Sequence, residues 1–292
     1  MEYNVPSQSG KRFFITGANT GIGRVTALEL ARAGAASVIL AGRSRERTQP
    51  VVDEINASSK GGENVASFLE LDLCDLESVR TCASRYAEEF ASQGPLDVLI
   101  NNAGLAGKKG LTKQGFEMAF GVNHLGHFLL TMELWPHLAE DARVVHVASR
   151  AHSRVSKLDL DAMQQSATTP TAFPEYSTSK LANVLFSHEL ARRTSRTGKG
   201  SYALHPGVVA SDVWREVPGP IRWLMTRFMI SNEEGAMTTL YCATSPEVES
   251  GKYYDACKEK KTSKLGRDDA LAQELWERSV AWSGAVVPEE LG

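Results

Sequence analysis

The sequence predicts an α/β fold in which helices flank a doubly wound parallel sheet of about seven strands. Three observations point to it. Short apolar runs recur between stretches of helical periodicity, a glycine-rich turn directly follows the first run, and no repeat, low-complexity tract or linker divides the chain. With 292 residues, 42% hydrophobic and 23% charged, the chain has ample apolar side chains for one large core, so a single domain over 1–292 is expected.

Taken in order, the expected strands are Arg12 to Ile15, Ser37 to Ala41, Ala66 to Leu71, Leu96 to Ile100, Arg143 to Ala148 and Ser201 to His205. These runs are short and mostly apolar, as strands covered on both faces are. Between them, Ile22 to Ala33 carries apolar residues at helical spacing, and a longer helical pattern runs from Lys113 to Leu138. Two segments are irregular: 152–174 is rich in Ser, Thr and Pro, and 211–231 carries Trp214, Pro218, Gly219, Pro220 and Trp223. Both follow strands and are expected at the ligand end of the sheet, as insertions that shape a substrate pocket.

A formal net charge of -3 and the lack of a long Lys/Arg block leave no electrostatic footprint for nucleic acid, which favours a small-molecule partner. Cys74, Cys82, Cys242 and Cys257 show no metal-ligand spacing and read as reduced thiols. The polar N-terminus runs straight into the first strand with no room for an apolar span of about 20 residues, so no integral membrane anchor and a cytoplasmic chain are expected. Ile221 to Ile230 holds Arg222 and Arg227 and is about half such a span, so it reads as a surface or lid helix.

The turn after the first strand is Thr16-Gly17-Ala18-Asn19-Thr20-Gly21-Ile22-Gly23. Where a glycine turn opens a helix, backbone amides and the helix dipole can hold a pyrophosphate, so Gly17, Asn19, Thr20, Gly21, Ile22 and Gly23 are candidate cofactor contacts. With three residues between its first two glycines, the turn resembles that of the short-chain dehydrogenase/reductase family, a Rossmann-type fold. The resemblance extends to Asp72-Leu73 after the third strand, which implies an adenine contact, and to Asn102-Ala103-Gly104 at the end of the fourth. It also covers Pro206-Gly207-Val208-Val209-Ala210-Ser211 after the sixth, where it implies nicotinamide contacts from Pro206, Gly207, Val209 and Ser211. The second strand ends Gly42-Arg43-Ser44-Arg45 with no acidic residue, and Arg43, with Arg24 as helper, can pair with a 2′-phosphate. NADP(H) is the expected cofactor.

Tyr176 and Lys180 lie four apart on a helical segment and so share a face. A tyrosine with an ordinary pKa near 10 needs a neighbouring ammonium to favour its phenolate, and Lys180 is placed to supply it. The pair follows Ser149, at a strand end, and Asn123, and these four match the catalytic set of the family they resemble. That resemblance implies that Tyr176 exchanges a proton with the substrate oxygen, Ser149 holds that oxygen, Lys180 also binds the nicotinamide ribose, and Asn123 anchors a water that relays protons to the lysine. The remaining histidines form no triad or metal cluster, and no metal site is expected.

Thr16 to Gly23, Val122 to Thr131, Tyr176 to Leu190, Ser245 to Val248 and Ser250 to Tyr254 look like the retinol-dehydrogenase-like branch, which handles lipophilic alcohols and carbonyls. Val213, Trp214, Val217, Trp223, Leu224 and Phe228 would either line an apolar pocket or pack the lid onto the core. The lid's apolar residues beside Arg222 and Arg227 also fit a membrane or partner surface. Family members often dimerise through the helices bearing Asn123 and Tyr176, which makes a homodimer one expectation. Two rival functions stay open: a light-driven porphyrin reductase of similar fold, and a non-catalytic NADP(H)-binding sensor or scaffold.

Overall fold

The computed structural model describes residues 3–59, 64–208 and 230–292. Its strands form one sheet in the order β3-β2-β1-β4-β5-β6-β7-β8. They are β1 (Arg12–Thr16), β2 (Ser37–Gly42), β3 (Ala66–Glu70), β4 (Leu96–Asn101), β5 (Leu138–Val147), β6 (Gly200–His205), β7 (Tyr253–Asp255) and β8 (Lys258–Lys260). All neighbours pair in parallel except β7 and β8. The order reverses between β1 and β4, which opens a crevice at the carboxyl ends of those strands.

Alternation along β1 sends Phe13 and Ile15 into one apolar layer and Phe14 into the other. On the first face, β1 packs with α1 (Gly21–Arg32), α2 (Arg45–Ser58) and, further along the chain, α7 (Asn232–Thr244), through Val25, Leu30, Val51, Ile55 and Leu240. On the second lie α3 (Leu76–Glu89), α5 (Gly126–Leu134), α6 (Phe173–Arg193) and α8 (Asp269–Ser283). There Phe128, Phe186 and Trp276 form an aromatic cluster, with centroids 5.0 Å apart for Phe128 and Phe186 and 5.1 Å for Phe128 and Trp276. The helix α8 thus lies over α5 and α6.

Three local features differ from the sequence reading. The strand β5 starts at Leu138, five residues before the expected Arg143, because an irregularity between Leu96 and Val98 lets Leu138 pair with Leu96 ahead of the polar Glu140 and Asp141. The predicted helix from Lys113 to Leu138 begins as α4 (Met118–Phe120), passes through a π-turn at Gly121–Leu125 and continues as α5. Segment 152–174, read as irregular, is anchored by short helical turns, with Leu158, Leu160 and Met163 buried in the core and Met163 O accepting from Glu117 N at 2.8 Å. Of segment 211–231 only Ile230 and Ser231 are among the described residues, so Trp214, Trp223 and their apolar neighbours lie outside them.

Candidate active site

The glycine turn leaves β1 at the crevice. Gly17 and Gly21 have φ of 67° and 58°, and a Cβ on Gly23 would lie 2.5 Å from both Gly17 O and Asn102 Nδ2, so the turn closes tightly only with glycine there. Thr20, extended at φ −158°, precedes α1 without capping it by its side chain, and the first turn of α1 holds no acidic residue. The leading amides of α1 are therefore open to an anion. Asn102 braces the turn from β4 through Nδ2 to Thr16 O at 2.8 Å, and Thr16 Oγ1 accepts from Asn102 N and Ala103 N, both at 2.9 Å.

The two arginines differ. Arg43 is exposed at the tip of β2 and makes no ion pair among the described residues, so its guanidinium is open to a phosphate. Arg24 is engaged, with Nη2 2.5 Å from Glu54 Oε2 on α2. Asp72 Oδ1 accepts from Cys74 N at 3.0 Å in a tight turn, and Leu73 packs so closely on α5 that a Cβ on Gly126 would sit 2.8 Å from Leu73 O. Both follow the carboxyl end of β3. Asp75 caps α3, accepting from Glu77 N at 3.1 Å and pairing with Lys113 at 2.8 Å.

At the other end, Tyr176 and Lys180 project from the first turns of α6 toward the end of β5. Tyr176 is 7% exposed and Lys180 4%, with Lys180 Nζ 5.7 Å from the tyrosine ring centroid. Lys180 Nζ donates to Val147 O at 2.7 Å. Ser149, just past that strand end, hydrogen-bonds the Tyr176 hydroxyl and also accepts from Ala151 N at 3.2 Å. Asn123, in the π-turn, is fully buried; its Nδ2 donates to Leu105 O and to Ser179 Oγ, and its Oδ1 accepts from Leu105 N. Gly104 packs against both side chains: a Cβ there would lie 3.4 Å from Asn123 Oδ1 and from Lys180 Nζ, in ordinary van der Waals contact.

Burial, and not the expected ammonium, governs the electrostatics. Desolvation raises the Tyr176 pKa, with the Ser149 hydrogen bond opposing it, and depresses Lys180 to about 7. The tyrosine stays a phenol at neutral pH while the lysine sits near its own midpoint. Pro206 and Gly207 follow β6, and Val209 and Ser211 lie outside the described residues.

Sequence reasoning gave no task to the histidines, yet His127 touches both halves of the site, Thr16 Oγ1 through Nε2 at 2.8 Å and the Asn123 carbonyl through Nδ1 at 3.0 Å. The signal was available in its spacing of four from Asn123. All four cysteines are free thiols, no cluster that could hold a metal occurs among the described residues, and none of the described helices is long and apolar enough to cross a membrane.

Comparisons with known proteins agree with this architecture. The family model for short chain dehydrogenases matches residues 11–220. Dehydrogenase/reductase SDR family member 13 from Bos taurus is 42% identical over 95% of this chain and 74% of its own length. Retinol dehydrogenase 12 from Mus musculus is 43% identical over 91% of this chain and 84% of its own. Among solved structures, an uncharacterized protein from Mycobacterium Paratuberculosis is 32% identical, with a TM-score of 0.77 over 98% of this chain and 97% of that one. The chain therefore belongs to the short chain dehydrogenase family of oxidoreductases, in its retinol-dehydrogenase-like branch.

Proposed function

We propose that the protein is an NADP(H)-dependent oxidoreductase that interconverts a lipophilic aldehyde or ketone and its alcohol, with Tyr176 as the general acid of reduction and the general base of oxidation. One observation carries the reading. Tyr176, Ser149 and Lys180 are brought together at the carboxyl end of the sheet, in the crevice where the glycine turn opens α1. Relatives named retinol dehydrogenase support the lipophilic substrate class.

When bound, the nicotinamide supplies or takes up the hydride at the carbon of the C–O group. In reduction, Tyr176, kept as a phenol by burial, gives its proton to the carbonyl oxygen. Ser149 shares a hydrogen bond with that phenol and is positioned to hold the same oxygen. Lys180, depressed to about 7, returns a proton toward Tyr176 and carries a donor for the ribose hydroxyls. Arg43 is the cation for the 2′-phosphate, while Arg24 is held by Glu54. A neutral tyrosine suits the reductive direction.

The cover that α8 gives α5 and α6 favours a monomer over the homodimer. The test of function is a panel of aliphatic and aromatic aldehydes, ketones, quinones and retinoids assayed with NADPH and with NADH. Turnover of lipophilic carbonyls with preference for NADPH is expected. Oxidation of neither cofactor by any member of the panel overturns the proposal.

A further inference from the structure

His127 lies one helical turn beyond Asn123 and is 2% exposed. Thr16 Oγ1 already accepts two backbone N–H groups, from Asn102 and Ala103. Its single hydrogen is therefore donated outward, to His127 Nε2 at 2.8 Å rather than to Ile100 O at 3.5 Å. Nε2 is then the acceptor and Nδ1 the donor, to the Asn123 carbonyl at 3.0 Å. The bonds thus specify one neutral tautomer, and full burial, which depresses the imidazole pKa to about 4, keeps it neutral.

This imidazole joins two structures of different purpose. Thr16 ends β1 and begins the glycine turn, which Asn102 also grips. Asn123 is tied through its side chain to Leu105 and to Ser179, the residue before Lys180.

We propose that His127 is a positioning residue that ties the phosphate turn to the Asn123 turn, so that one imidazole sets both cofactor affinity and the alignment of Lys180. This rests on the NADP(H) reading above. Two substitutions separate its ends. His127→Asn keeps a donor at the Asn123 carbonyl and loses the reach to Thr16; His127→Gln extends to Thr16 and loses the Asn123 carbonyl.

Amide hydrogen exchange on the cofactor-free protein is measured first. His127→Asn should accelerate exchange at Asn102 and Ala103 by about tenfold, because Thr16 Oγ1 is no longer fixed as their acceptor. Thr16→Val should match it, and Thr16→Ser, which restores the hydroxyl, should behave as wild type. With NADPH, His127→Asn should raise the dissociation constant about tenfold at nearly unchanged kcat, and His127→Gln should lower kcat about tenfold at nearly unchanged NADPH affinity. Unchanged exchange in His127→Asn, or equal losses of affinity and kcat in both variants, overturns the tie. A wild-type protein that binds no NADPH sinks the cofactor reading instead, and the exchange comparison still decides the tie.

Discussion

Lys180→Met removes a buried ammonium while nearly conserving side-chain length, and it is expected to make the cofactor-free protein more stable at neutral pH. Burial carries the Lys180 pKa from 10.5 down to about 7, which costs the folded chain about 4 kcal/mol near neutrality. Methionine removes that cost but leaves Val147 O without its 2.7 Å donor, a loss of about 2 kcal/mol. The net gain is about 2 kcal/mol near pH 7. Its sign depends on pH. The folded pKa is the lower one, so between about pH 7 and pH 10 the unfolded chain holds a proton that the folded chain has released, and wild-type stability rises with pH across that window. The advantage of the variant should therefore shrink, vanish near about pH 9 and reverse by about pH 10. Urea denaturation of both proteins from about pH 6 to pH 10 measures the difference, in which all other titrating groups cancel. A difference that is flat with pH, or a variant less stable than wild type at neutral pH, refutes the burial argument.

Other consequences follow from individual contacts. Arg43→Ala should weaken NADPH binding by about tenfold or more and leave NADH nearly unaffected, since the proposed role of the guanidinium is to pair with the 2′-phosphate that NADH lacks; equal losses in titrations with both cofactors would remove the assignment. Gly23→Ala drives a Cβ to 2.5 Å from Gly17 O and Asn102 Nδ2, so it should lower stability by about 2 kcal/mol and abolish cofactor binding, as read by thermal unfolding with and without NADPH. Trp276→Ala strips α8 from Phe128 and Phe186, at a cost of about 3 kcal/mol in denaturant unfolding, while sedimentation of the wild type should give the mass of one chain.

The legible part of the fold was the part buried on both faces. Strands such as β1 and β2 are continuous apolar runs, so their sequence limits agree with the structure to within a residue. The hairpin β7–β8 carries no such signal: each strand has three residues, β8 is wholly exposed, and its turn uses Ala256 and Cys257 at φ of 53° and 56° where glycine or asparagine would have announced it. The π-turn at Gly121–Leu125 is likewise silent, because its residues have an ordinary helical pattern, and the close packing of Gly121 on Thr112 and of Gly126 on Leu73 is seen only in the fold.

At the site, spacing placed Tyr176 and Lys180 on one face, and the family resemblance added Ser149 and Asn123. Spacing carries no information about desolvation. The sequence argument let the lysine charge act on the tyrosine, whereas the fold seals both from water and moves each toward its neutral form. His127 was missed for a related reason: a histidine on an apolar helix reads as core until its two nitrogen partners are seen.

The most direct test of the account is NADPH oxidation driven by a lipophilic aldehyde, compared between wild type and Tyr176→Phe. The variant should lose kcat by about a thousandfold while binding NADPH as the wild type does, because only the transferable proton is gone. Turnover by Tyr176→Phe within about tenfold of wild type would contradict the assignment of Tyr176 as the acid.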